Sequence, residues 1–357
     1  MYSMNNNGGG IYIMTITYKC HSCGSAMEFD GPTQTLKCDH CGFGISVEEY
    51  ERLYDNEGET KENQSNDNNV KIYHCQSCGA ELITDEFTSA TICGFCGNPS
   101  LVEDRLSGDF SPSLVIPFKI DKENAKNIYQ KWIKKGPLTP RTLFSKSTIE
   151  KITGLYAPFW LYDYEASDYM EAAATRTRME RHGDYEYIYT DHYAIYRDVK
   201  ADFVQIPADA SEKMPDDAMD KLEPFNYQEM TDFKMPYLSG FLSEKYNFTS
   251  EEMETRARAR ADQYITDITR KTINGYSTVS VLKNEISASN THNDYALFPV
   301  WMLNYKFNGK DYQFMLNGQT GKIVADRPIS TKRAFAWFGI ITAATFVITL
   351  IGGLFIL

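Results

Sequence analysis

Eight cysteines constrain this chain more than any other feature. All lie before residue 97, in four Cys-x-x-Cys pairs, each followed by glycine. Cys20 and Cys23 form a quartet with Cys38 and Cys41, and Cys75 and Cys78 form another with Cys93 and Cys96. In each quartet 14 residues separate the two pairs, and the second quartet repeats the first at an offset of 55 residues. Two residues between ligands let one turn present both sulfurs. Fourteen residues leave room for a hairpin that carries the second turn across. Four thiolates so arranged make a tetrahedral soft-ligand cage suited to Zn²⁺. All four places are filled by protein, so each of the two zinc ions is read as structural, with no open position for a reacting water. Gly24, Gly42, Gly79 and Gly97 permit positive φ, which turns backbone N–H groups toward the sulfurs. A redox pair would come once in a βαβ setting, not as a spaced quartet. His21, His40 and His74 lie in or beside the knuckles and read as exposed residues, since thiolates fill each set.

Zinc ribbons often bind nucleic acid, but the charge here opposes it. The 357 residues carry a formal charge of −12, which repels phosphate backbones and anionic surfaces at long range. Ribbon one (18–47) sets Lys19 and Lys37 against Glu28, Asp30 and Asp39. From Cys75 to Gly97, ribbon two has three acidic residues and no Lys or Arg. It offers none of the cations that release counterions from phosphate. Phe87 and Phe95 are available for stacking, but a stacking platform sits in a basic groove. Contact with protein suits these hairpins better.

The last 24 residues, AFAWFGIITAATFVITLIGGLFIL (334–357), contain no charge. As a helix they span about 36 Å, enough for a hydrocarbon core of about 30 Å. Phe335, Trp337 and Phe338 fall where an interfacial aromatic belt belongs. Lys332 and Arg333 precede the run and no positive charge follows, so the positive-inside rule puts the N-terminal part in the cytoplasm of a single-pass cell-membrane protein. In a reducing cytoplasm the cysteines stay available to metal.

The opening MYSMNNNGGGIYI (1–13) reads as a non-native leader. Its Gly-Gly back-translates to a ribosome-binding GGAGG, which points to a start at Met14. Residues 48–71 are acidic and Asn-rich and read as a flexible linker between ribbon one (14–47) and ribbon two (72–103). Residues 114–329 read as an α+β domain with antiparallel strands. Asp121 is the expected cap of a helix whose apolar face is Ala125, Ile128, Tyr129, Trp132 and Ile133, stopped at Gly136-Pro137. Thr249 and Glu252 form a capping box, followed by a stripe of Met253, Ala257, Ala261, Tyr264, Ile265 and Ile268. Arg256, Arg258 and Arg260 spread around that helix rather than pooling. Strands are expected over 185–206 and in a meander over 301–324, with turns at Asn308-Gly309, Asn317-Gly318 and Thr320-Gly321. YAPFWLYDY (156–164) and LFPVWMLNY (297–305) share Pro-x-Trp and a final Tyr; duplication and coincidence are both open readings. His182, His192 and His292 are scattered, and neither a nucleophile elbow nor a phosphate loop is present. The chain therefore reads as a non-enzyme, with no catalytic or cofactor-binding residue assigned.

The tandem CxxCG quartets, PFKIDKENAKNIYQKWIKK, LYAPFWLYDY, PVWMLNYKFNGKDYQFMLNGQTGKIV and the terminal apolar helix together resemble a bacterial family of membrane-tethered tandem zinc-ribbon proteins. Such proteins are labelled transcription-factor-IIB-type zinc ribbon or primosomal helicase-like from the ribbon alone. The resemblance extends from Met14 onward. It implies a non-enzymatic membrane protein associated with envelope stress, with SPFH (flotillin-like) or phage-shock-protein-A-like membrane proteins as partners. The resulting expectation is a multidomain chain: two small β zinc ribbons, an α+β domain and one C-terminal transmembrane helix (334–357). It would act as a protein-binding adaptor or scaffold. The rivals are a membrane-tethered nucleic-acid-binding or transcription-related protein, and an enzyme housed in the α+β domain.

Overall fold

The computed structural model describes residues 18, 20–25, 27–55, 70–75, 81–85, 101–105, 112–212, 214–243 and 246–356. The leader 1–13, the start at Met14 and most of ribbon two lie outside them. Ribbon one is an antiparallel three-stranded sheet of β1 (Met27–Asp30), β2 (Thr35–Cys38) and β3 (Gly44–Ser46). Met27, Phe29, Leu36, Ile45, Val47 and Tyr50 form its buried side. Helix α1 (Val47–Asp55) follows directly, with the Ser46 hydroxyl accepting from Glu49 N–H at 3.1 Å. The linker expected from residue 48 therefore begins as helix, because Val47 and Tyr50 pack into the ribbon core. Further on, β4 (Val70–Cys75) pairs antiparallel with both β5 (Glu81–Asp85) and β6 (Leu101–Arg105).

The rest of the chain runs β7 (Leu114–Val115), α2 (Lys122–Lys134), α3 (Lys146–Ile149), β8 (Thr153–His182), β9 (Tyr185–Asp209), α4 (Asp216–Leu222), β10 (Thr231–Asp232), β11 (Leu242–Ser243), α5 (Ser250–Lys271), β12 (Thr278–Phe307), β13 (Lys310–Asn317), β14 (Ile323–Ala325) and α6 (Thr331–Ile356). The region expected as one α+β domain divides into two compact units. Residues 158–212 and 246–296 form the second. The remainder, ribbon one included, forms the first.

In the first unit, β12, β13 and β14 make the expected meander, turning at Asn308 (φ 51°) and Gly309 (φ 76°). The core centres on Phe118. Its ring stacks on Phe241 at 4.1 Å and meets Tyr156 and Trp301 edge-on at 5.0 and 5.1 Å. Gly318 lies so close to Phe118 that a Cβ there would sit 2.6 Å from its ring. Phe118 is fully buried, so Phe118→Ala should cost about 3–5 kcal/mol. A shift of that size in denaturant-induced unfolding checks it; a cost near zero would mean that this cluster is not the core.

Ribbon one is docked on the first unit, not held on a loose tether. Phe29 N–H donates to Ser239 O at 3.1 Å, and Ser239 Oγ donates back to Met27 O at 2.8 Å. Gln34 Nε2 donates to Phe118 O at 2.7 Å, and Lys234 pairs with Glu51 at 2.7 Å. Ribbon two's β5 also joins this unit's sheet, through one bridge, Ile83↔Ser243.

The second unit is a three-stranded stretch of β9, β8 and β12 covered by α5. The capping box forms as the sequence implies: Thr249 Oγ1 accepts from Glu252 N–H, and Glu252 accepts from Thr249 N–H. Met253, Ala257, Ala261 and Ile265 pack on Tyr162, Tyr164, Ala166 and Ala208. Tyr264 and Ile268, expected in the stripe, are each 37% exposed, and Thr269 is buried instead. The helix rests on the sheet along a narrower line than its apolar arc. Asp168 shares the inward register of Ala166 and Met170, fully buried, with neither carboxylate oxygen hydrogen-bonded among the described residues. A buried polar group without a partner costs about 1–3 kcal/mol, so Asp168→Val should raise the unfolding free energy by about that much. A fall in thermal stability on substitution would refute this.

Both Pro-x-Trp segments do the same work. Trp160 Nε1 donates to Phe248 O at 2.9 Å, the carbonyl just before the Thr249 cap of α5. Trp301 Nε1 donates to Ile120 O at 2.8 Å, the carbonyl just before the Asp121 cap of α2. One strand indole fixes the entry of one capped helix in each unit.

Candidate metal centre

The first quartet converges. The four sulfurs of Cys20, Cys23, Cys38 and Cys41 lie within 4.8 Å of one another. Cys20 Sγ is 3.5 Å from Cys41 Sγ, and Cys23 Sγ is 3.5 Å from Cys38 Sγ. Zinc–thiolate bonds of about 2.3 Å in a tetrahedron require sulfur–sulfur edges of about 3.8 Å. The cage is therefore the size a single zinc ion needs.

Two matching knuckles build it. Cys20 N–H donates to Ser25 O, and Gly24 N–H donates to Cys20 O, both at 2.8 Å. Cys38 N–H donates to Phe43 O, and Gly42 N–H donates to Cys38 O, also at 2.8 Å. Gly24 and Gly42 have φ of 73° and 76°, the left-handed turn anticipated for them. Their N–H groups go to backbone carbonyls, however, not to sulfur. The residue after each glycine reaches the thiol instead: Ser25 bonds Cys23, and Phe43 N–H bonds Cys41. The sequence carries this as a position two residues past each second cysteine, a spacing easily missed because the side chains there differ.

These contacts set the charge. Ser25, through its hydroxyl and then its N–H, pulls the Cys23 thiol down to about 5. Phe43 N–H pulls Cys41 down, but Cys20, burial, Cys23 and Cys38 together push it up to about 12. One thiolate beside its neighbours discourages the next, and a dication at the centre reverses that balance. Cys20 and Cys38 are buried while Cys23 and Cys41 face out. His21 and His40 are exposed, as expected.

In ribbon two, Cys75 ends β4, and Cys78, Cys93 and Cys96 lie outside the described residues. His182, His192 and His292 are exposed and do not meet. His182 sits 3.7 Å from Glu180, and His292 sits 3.0 Å from Asp294. The NGQTGK segment (317–322) is a structural clamp. Asn317 Nδ2 donates to Leu222 O and Pro224 O, Gln319 Nε2 donates to Glu229 at 2.7 Å, and Lys322 Nζ reaches Glu223 O. Sequence reading also missed Lys126, which is buried on α2 and bridges Glu123 and Glu150 at 2.8 Å each.

At the other end of the chain, α6 is long and apolar enough to cross a membrane over Thr331–Ile351, and none of that stretch is buried in protein. No family model matches the chain, and no solved structure resembles it. It is 42% identical over 336 residues to the uncharacterized protein YdjG of Bacillus subtilis (strain 168), covering 93% of this chain and 96% of that protein. At that identity and coverage, the chain belongs to the same family as YdjG.

Proposed function

We propose that this protein is a membrane-anchored adaptor. Its zinc ribbons and α+β units face the cytoplasm and bind other membrane-associated proteins. The observation that carries this reading is α6: its apolar residues lie fully outside the protein core, and a bilayer is the medium that covers such a helix. Lys332 and Arg333 at its start favour the cytoplasmic orientation. The closed four-thiol cage supports a structural ion in ribbon one, and the repeated spacing supports a second on Cys75, Cys78, Cys93 and Cys96. Neither ribbon would bind substrate through its metal. The formal charge of −12 weighs against nucleic acid and toward partners with basic surfaces. Resemblance to the tandem-ribbon family suggests SPFH-type or phage-shock-protein-A-like partners. Tethering raises their local concentration without any new contact.

The test is a crosslinked capture from membranes holding the full chain or its Cys20→Ser/Cys38→Ser form, with proteins and nucleic acids both identified. SPFH-type or phage-shock-protein-A-like proteins recovered only with the intact ribbon support the adaptor. Enrichment of DNA or RNA instead would replace it with a tethered nucleic-acid-binding protein.

A further inference from the structure

A cavity of about 620 Å³ opens beside the first turns of α6. Its polar wall holds Arg141, Lys332 and Arg333; its apolar wall holds Phe307, Trp337 and Ile340. No carboxylate lines it, in a chain with 48 acidic residues against 36 basic ones. The cations come from two places in the sequence. Lys332 and Arg333 flank the apolar run, whereas Arg141 opens a short 3-10 turn far upstream. Two hydrogen bonds hold them together: Ser330 N–H donates to Leu138 O at 2.9 Å, and the Arg333 side chain donates from Nη1 to Thr139 O. Arg141 and Lys332 are exposed and form no ion pair among the described residues. Three cations are thus gathered in a cavity that no carboxylate lines among the described residues, at the point where α6 leaves the folded unit. The apolar wall continues into the exposed apolar surface of the helix.

This shape asks for a ligand that is anionic at one end and apolar at the other. We infer that the cavity holds the headgroup of an anionic phospholipid. The phosphate sits among Arg141, Lys332 and Arg333, and an acyl chain lies along Trp337 and Ile340. A free phosphate would use only the cations and leave the aromatic wall unfilled. Basic pockets beside membrane helices recognise lipid headgroups in this way. The inference rests on α6 being the membrane anchor. Arg141 is the discriminating residue: a basic flank that merely feels the surface potential needs only Lys332 and Arg333.

The test uses the full chain in vesicles of phosphatidylcholine alone or with added phosphatidylglycerol. Flotation with either vesicle reports anchoring. Native mass spectrometry after detergent release reports which lipid stays bound. Wild type should retain phosphatidylglycerol over phosphatidylcholine. Arg141→Gln should reduce that preference about fivefold, the effect of one interfacial cation. Lys146→Gln, an exposed lysine that does not line the cavity, should leave it unchanged. Equal retention of both lipids, or an unaltered preference in Arg141→Gln, overturns the inference while leaving the anchor intact. Displacement of the lipid by inorganic phosphate would make this a phosphate site and also overturns it. Failure to float with any vesicle removes the anchor and this inference together.

Discussion

A chain carrying Cys38→Ser will bind no metal at ribbon one and will lose the ribbon's fold. Cys38 ends β2, is fully buried, and lies 3.5 Å from Cys23. Its N–H and C=O close the second knuckle. A hydroxyl in its place is a poor zinc ligand and leaves a buried polar group facing three sulfurs. Structural zinc contributes about 10–16 kcal/mol of apparent folding free energy in small domains. The ribbon's own apolar core is a handful of side chains, far too small to replace that. The metal content of the purified chain should fall by one ion, and protease should cut within 20–47. Acidification should release the same ion, because a proton competes with the metal for each thiolate. A substituted chain that kept full metal content and resisted protease would refute the closed cage.

Two arginines in the middle of α6 will release the protein from membranes. Ala344 and Val347 are exposed, one turn apart, inside the apolar stretch. An arginine at the centre of a membrane helix costs about 2.5–3.5 kcal/mol, so Ala344→Arg with Val347→Arg costs roughly 5–7 kcal/mol. That moves an inserted helix to one mostly excluded from the bilayer. Alkaline carbonate extraction of membranes should leave the wild-type chain in the pellet and the double variant in the supernatant. A double variant that resisted extraction would show that α6 is not what holds the protein there.

Local signals were legible where local physics decides the outcome. The Asp121 cap, the Thr249–Glu252 box and the Asn308-Gly309 turn each depend on a few neighbouring residues, and each forms as read. The convergence of the first quartet follows from spacing alone. Long-range packing was not legible. β8 and β12 each run 30 residues, but no single alternation marks them. β8 begins buried on both faces, alternates beneath α5, and ends exposed. The division into two units falls within these strands, so no linker composition announces it. The docking of ribbon one rests on Ser239, Lys234 and Phe118, residues with no signature of their own. The turn after Asn317 forms as read, but the second use of Asn317 and Gln319, as a clamp on Leu222, Pro224 and Glu229, was not legible because a clamp and a turn use the same amides. The cavity at Arg141 and Lys332 was invisible because Arg141 and Phe307 are remote in sequence from the α6 residues that complete it.

The docking of ribbon one changes what occupancy of its cage means. The strand that leaves the first knuckle shares hydrogen bonds with Ser239, and Gln34 ties the hairpin to Phe118 at the centre of the first unit's core. An ion that binds the folded ribbon and not the unfolded chain therefore stabilises more than the ribbon. By mass action its contribution grows with the logarithm of free metal, about 2.7 kcal/mol at a hundredfold excess over the dissociation constant. Metal scarcity would be felt as a loosening of the surface around Ser239 and Phe118, so the availability of the ion and the integrity of the aromatic core form one coupled equilibrium.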